Sequence, residues 1–236
     1  MPYRTLDRAK IAKTAEKLER RIADRFPQSS LRNVARETSE IVRDLGRHAE
    51  ELARPLWWVR ILLGAFVIGC IYLFSQVGTL IQISGINEDA SNVIQGLEAA
   101  INTIVFVCVG IYGLATFEQR IKRSRSLKKL HVLRSVIHII DMHQLTKDPA
   151  VLASNYEATK NSPERMLTPA ELARYLDYCS ELLSITGKVA ALYAQSVDDD
   201  VVVGAVNDVE SLGTNLSRKI WQKIMLIEAE GRPLSA

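Results

Sequence analysis

The side chains with the most chemical potential lie in one short segment. His131, Arg134, His138 and Asp141 follow at intervals of three, four and three, one line of a helix, with His143 just off it. Imidazole and carboxylate are common metal ligands, so His131, His138 and Asp141 are the metal candidates of the chain. Spacing weighs against a shared ion. His131 and His138 are separated by about 10 Å of helical rise, and the Arg134 guanidinium between them repels a cation. The favoured reading is a polar stripe satisfied by a neighbouring helix or subunit, with His138 and Asp141 paired. A buried His138 in that setting is a pH-sensitive element.

Elsewhere the chemistry thins out. Asp198, Asp199 and Asp200 diverge around the start of a helix, which suits capping better than chelation. Cys70, Cys108 and Cys179 are too scattered for a disulfide framework or a clustered zinc site. There is no phosphate-cradling glycine loop, Gly-x-Ser-x-Gly elbow, His-Glu-x-x-His or Cys-x-x-Cys. The sequence assigns no catalytic residue, no metal and no cofactor, and reads as a non-enzyme.

Charge shows what must position these residues. The 236 residues carry a net charge of +3, but the charge is segregated. Residues 1–60 hold 14 Lys/Arg against 9 Asp/Glu, and residues 120–134 hold seven basic residues and no acid. Between them, 61–119 contain no Lys or Arg and only Glu88, Asp89, Glu98 and Glu118 as acids. So long a stretch without a cation is foreign to a water-facing surface and natural in a bilayer.

Two apolar runs occupy it. The first, from Leu56 to Ile83, opens on Trp57 and Trp58, indoles of the kind that anchor at a membrane interface, and Arg60 can snorkel to the headgroups. The second, from Ala99 to Phe117, ends at a basic cluster that includes Arg120, Lys122 and Arg123. Each is long enough to cross about 30 Å of hydrocarbon. The competing reading, two core helices of a soluble protein, fits less well because neither run carries a charged outer face. Basic flanks and an acidic connection predict two spans of a cell (inner) membrane with both termini cytoplasmic. The cluster would meet anionic headgroups. The outer connection, 78–98, is too short for a ligand-binding ectodomain, and Asp89 or Ser91 could cap a helix leading inward.

Gly64, Ala65, Gly69 and Cys70 in the first run and Gly110, Gly113 and Ala115 in the second permit close helix packing in lipid. Asn102 and Glu98 are the candidate polar groups of a pore, with packing the favoured role for Asn102.

Before the membrane, a helix from Tyr3 to Phe26 stops at Pro27. A second follows with Leu31, Val34, Thr38, Ile41, Leu45, His48 and Leu52 alternating by three and four, a seam suited to a coiled coil or a hairpin. Beyond the basic cluster, Thr168-Pro169-Ala170-Glu171 is a strong helix start. A stripe of Leu172, Leu176, Cys179, Leu183, Thr186 or Val189, and Tyr193 follows it. A final helix runs from Val202 to Ile227, with Gly213 weakening it and Trp221 and Met225 as packing residues.

The expectation is an all-α chain: a cytoplasmic helical hairpin over 1–55, a transmembrane pair over 56–119, a basic juxtamembrane helix over 120–145, a linker over 146–167, and a helical hairpin over 168–236 completing a cytoplasmic bundle. Its expected role is a homo-oligomeric scaffold or regulatory adaptor that touches anionic lipid, itself and a cytoplasmic protein. No aromatic platform accompanies its basic residues, so nucleic acid is not an expected partner. The rivals are a small oligomeric ion channel lined by the second span and, less favoured, a metal-dependent membrane enzyme.

Overall fold

The computed structural model describes residues 5–83, 90–152, 156–157, 159–162 and 167–230, and every regular element among them is helical. In chain order these are α1 (Arg8–Arg25), α2 (Ser30–Ala53), α3 (Trp57–Ile83), α4 (Ala90–Leu145), a single 3-10 turn (Pro149–Leu152), α5 (Pro169–Ser196) and α6 (Asp200–Glu230). The chain divides into two compact units, residues 1–53 with 125–236, and residues 54–124, and the division falls within α4.

The larger unit is a helical bundle around α5. Thr168 caps α5 by accepting from the Glu171 N–H, and the Glu171 carboxylate takes the Thr168 N–H at 2.9 Å, a reciprocal pair that satisfies two otherwise orphaned donors. The predicted stripe of α5 is buried, and so is a second face: Tyr175, Tyr178, Leu182, Ile185, Ala190 and Leu192. A helix apolar on most sides must be surrounded, and α5 packs against α1, α2 and α6. Each fully buried Leu or Ile of this core contributes roughly 1.5–3 kcal/mol of burial free energy.

In the N-terminal hairpin Leu31, Thr38, Leu45 and Leu52 of the seam are buried and Val34 and Ile41 pack half-buried against the core, and Ala35, Ser39, Val42, Gly46 and Ala49 are buried as well. The cause is packing. α2 lies against both α1 and α5, so its buried face is broader than the strip a two-stranded seam would use. α1 begins at Arg8 rather than Tyr3, because Asp7 accepts from the Ala9 N–H at 2.8 Å and the Lys10 N–H at 3.3 Å. Arg8 crosses above Gly46 to reach Glu50 at 2.9 Å, and Arg43 meets Glu16 at 2.7 Å. Tyr193 of α5 donates to the Leu45 carbonyl at 3.2 Å.

At the other end, Asp199 caps α6 by accepting from Val201 and Val202. Gly213 does not interrupt that helix. A Cβ there would lie 3.7 Å from the Leu183 carbonyl oxygen and 3.8 Å from Ile137, ordinary contact distances, so the site faces α5 and α4 with room for a methyl group. Trp221 and Met225, expected to pack, are exposed.

The smaller unit pairs α3 with the first part of α4, both long and apolar enough to cross a membrane. α3 ends at Ile83, where the first apolar run ends, whereas α4 starts at Ala90, ahead of the second run's Ala99, so 78–83 and 90–98 are helical and Ser91 lies inside α4. Gly85, Glu88 and Asp89 lie outside the described residues. Almost nothing in the two apolar stretches is buried. Ile61, Ile68, Ile71, Phe106, Val109 and Tyr112 all project outward.

Candidate membrane-interface site

The residues assigned to the headgroup region converge on one carboxylate. At the start of α3, Pro55 precedes Leu56, whose N–H donates to Glu118 Oε1 at 3.1 Å. Lys122, one turn further along α4, places Nζ 3.0 Å from the same oxygen, and Arg60 brings Nε within 3.6 Å of Oε2. The Glu118 and Lys122 side chains are only 17% and 15% exposed. One acid thus gathers a backbone donor from the head of α3 and a cation from each helix, which fixes where the two helices meet.

Aromatic contacts surround this knot. Trp58 meets Phe117 edge-on, centroids 6.1 Å apart, and the Arg60 guanidinium lies 6.0 Å from the Trp57 ring. Both indoles are largely exposed. One turn and a half deeper, Phe66 rests on Gly110, where a Cβ would stand 2.6 Å from its Cζ. Arg60 and Lys122, read from sequence as headgroup contacts, are engaged with Glu118. Arg120 and Arg123 are exposed beside them. Spacing could not show this, since a pairing between α3 and α4 depends on the register of the two helices.

Asn102 and Glu98, the pore candidates, are both exposed on α4. Cys70 is half-buried and Cys108 exposed.

The histidine stripe is not an internal one. His131, Arg134 and His138 face outward, while Leu130, Leu133, Val136, Ile137 and Ile140 make the buried face of this part of α4. Asp141 accepts from Gln144 Nε2 at 2.7 Å rather than pairing with His138, and His143 Nδ1 lies 2.9 Å from the Ile139 carbonyl. Among the described residues no three His, Cys, Asp or Glu side chains are grouped to hold a metal. No neighbouring helix among the described residues covers the stripe, because burying Leu133, Ile137 and Ile140 turns the polar line away from the core.

What sequence reading missed is Gln144, buried at the end of α4. Lys223 of α6 donates to its side-chain oxygen at 2.8 Å, to its carbonyl at 3.0 Å and to the Lys147 carbonyl at 3.4 Å. A cation on the last carbonyls of a helix satisfies acceptors that have no partner within the helix and complements the negative end of its dipole. Burial lowers the Lys223 pKa, against the nearby charges of Asp148 and Asp141, which raise it. The only sequence hint was a glutamine and a lysine at otherwise buried helical positions.

Burial is also the leading influence on Cys179 and His48. It pushes the Cys179 thiol to about 12, which keeps it protonated and unreactive. Burial first, then Lys129 and Arg125, holds His48 below the ordinary imidazole value, against Glu51 and Asp44. The His48 ring is tilted over Tyr193, centroids 6.2 Å apart.

Compared with known proteins, the chain matches no family model, no curated protein and no solved structure.

Proposed function

We propose that this chain is an integral membrane protein whose α3 and α4 cross the bilayer as a hairpin, with a cytoplasmic helical bundle that serves as a homo-oligomeric scaffold or regulatory adaptor. One observation carries the reading. The apolar side chains of α3 and α4 project outward along a stretch with no Lys or Arg, from Ile61 to Gln119. Helices of a soluble core would bury those side chains against their own chain, and an exposed apolar surface of this extent in water drives aggregation. Lipid removes the conflict.

The basic residues on both outer flanks of the pair support cytoplasmic termini in the inner membrane, since Lys and Arg are retained on that side. The exposed Arg120 and Arg123 sit at the depth of anionic headgroups. The adaptor role rests on proportion: most of the chain is a packed bundle, with Asp199 capping α6 and Gln144 fastened by Lys223.

The test is topology. Carbonate-washed membranes should retain the chain. Protease added to the cytoplasmic face should remove a tag from either terminus, whereas a tag inserted after Gly85 should be cut only from the opposite face. Recovery in the soluble fraction would overturn the proposal. Asn102 and Glu98, both exposed on α4, support a second reading as a small cation channel; ion flux in liposomes that disappears in Asn102→Leu would favour it.

A further inference from the structure

We propose that a second copy of this chain docks within the membrane along the stripe of α4 formed by Asn102, Phe106, Val109 and Gly113, the two Asn102 amides bonding to each other. The inference rests on the two-span reading above. The four residues follow at intervals of four, three and four, which places them on one line of the helix. Phe106 is 75% exposed and Val109 64% exposed, and a Cβ added at Gly113 meets nothing within 4 Å. α3 packs on the adjoining flank of α4, where Phe66 covers Gly110, Trp58 meets Phe117 at the basic end of the line and Arg60 reaches Glu118, and it leaves Phe106 and Val109 uncovered.

Asn102 is what demands an occupant. Its side chain is exposed and bonds to no group among the described residues. The second apolar run is centred on Cys108, and Asn102 lies about 9 Å of helical rise from that centre, inside the roughly 15 Å half-thickness of the hydrocarbon. Lipid tails cannot bond to an amide. A second copy can, because the group both donates and accepts and is therefore complementary to itself. Two chains of the same topology, related by an axis along the membrane normal, bring their Asn102 residues to the same depth. Gly113, three turns along the stripe, then lets the two backbones approach.

The experiment co-expresses two differently tagged full-length copies in which Cys70 and Cys108 are replaced by Ala. Oxidation of Val109→Cys in carbonate-washed membranes should give a disulfide-linked species carrying both tags. Tyr112→Cys, exposed on a neighbouring face, should give little. Adding Asn102→Leu should lower the linked fraction about fivefold, the effect of one intramembrane amide bond, and Asn102→Gln should restore it. Equal linkage at the two positions, no linkage of membrane-retained Val109→Cys, or linked species none of which carries both tags would overturn this interface. Loss of the chain from carbonate-washed membranes would instead remove the two-span reading beneath it.

Discussion

Gly110 and His48 show how much of this protein turns on single atoms. Phe66 Cζ stands only 2.6 Å from where a Cβ of Gly110 would be, so the tip of the α3 ring rests directly on the glycine of α4. In Gly110→Ala the tip of the ring can swing aside, and alanine returns about 1 kcal/mol of helix propensity, so near-neutral behaviour is expected. Gly110→Leu leaves the ring no such escape. It should destabilise the helix pair by about 1–3 kcal/mol, read as a lower melting temperature of the purified chain in detergent. Among Gly64, Gly69, Gly110 and Gly113 the sequence marked small residues without saying which bears a partner, because composition does not reveal which face of a helix is turned inward. His48 gives a pH effect with a definite sign. Its folded-state pKa is depressed, chiefly by burial, so as pH falls below about 6.5 the unfolded chain takes the proton before the folded one. The stability it allows is full above that value and declines as pH drops toward the folded pKa. Denaturant titrations between pH 8 and 5 should show this slope in the native chain and a shallower one in His48→Gln. An unchanged slope would assign it to other groups.

The elements were legible wherever a local rule fixed them. Thr168 through Glu171 announced the start of α5, and the reciprocal bonds are there; Thr168→Ala should cost about 1 kcal/mol, seen as a shift in the unfolding midpoint with no change in helix content. The helical periods of α2, α5 and α6 were equally readable. Their neighbours were not, since a stripe reports that a face is buried and not what buries it. That is why the stripe of α5 does not reveal its second buried face, and why the spacing along α4 does not tell that Leu133, Ile137 and Ile140 take the inward side. The fastening of α4 by Lys223 belongs to the same class, because Gln144 and Lys223 lie far apart in sequence and meet only in the bundle. Lys223→Ala removes a charged donor from two carbonyls and one amide oxygen. A loss of about 1.5–3 kcal/mol follows for a charge-assisted bond, with faster hydrogen exchange at the end of α4 as its local signature. A variant with native exchange there would show that the lysine is dispensable.

At the scale of the whole molecule, the two compact units obey opposite rules for apolar side chains. In the bundle, Leu18, Ile22, Leu133, Ile137, Leu176 and Ile220 are almost fully buried, as water requires. In the α3–α4 pair, Ile61, Ile68, Ile71, Phe106 and Tyr112 are more than half exposed, and a carboxylate is gathered with two cations at one end of that pair. The proposed two-span topology accounts for both patterns, and the change of rule coincides with the loss of Lys and Arg from the sequence. The sharpest test of that topology places a cation on the outward face of α3. Ile68 lies near the middle of the first apolar run and faces outward, so under the proposed topology Ile68→Arg would put a guanidinium at mid-bilayer, with an insertion penalty of about 2.5–3.5 kcal/mol. Arg cannot snorkel from the centre of the span as it can from Arg60 at its edge. The variant should show a large drop in the carbonate-resistant fraction, whereas an exchange on the bundle surface such as Met142→Arg should leave that fraction unchanged. Equal retention of both variants would mean that the outward face of α3 meets something other than hydrocarbon.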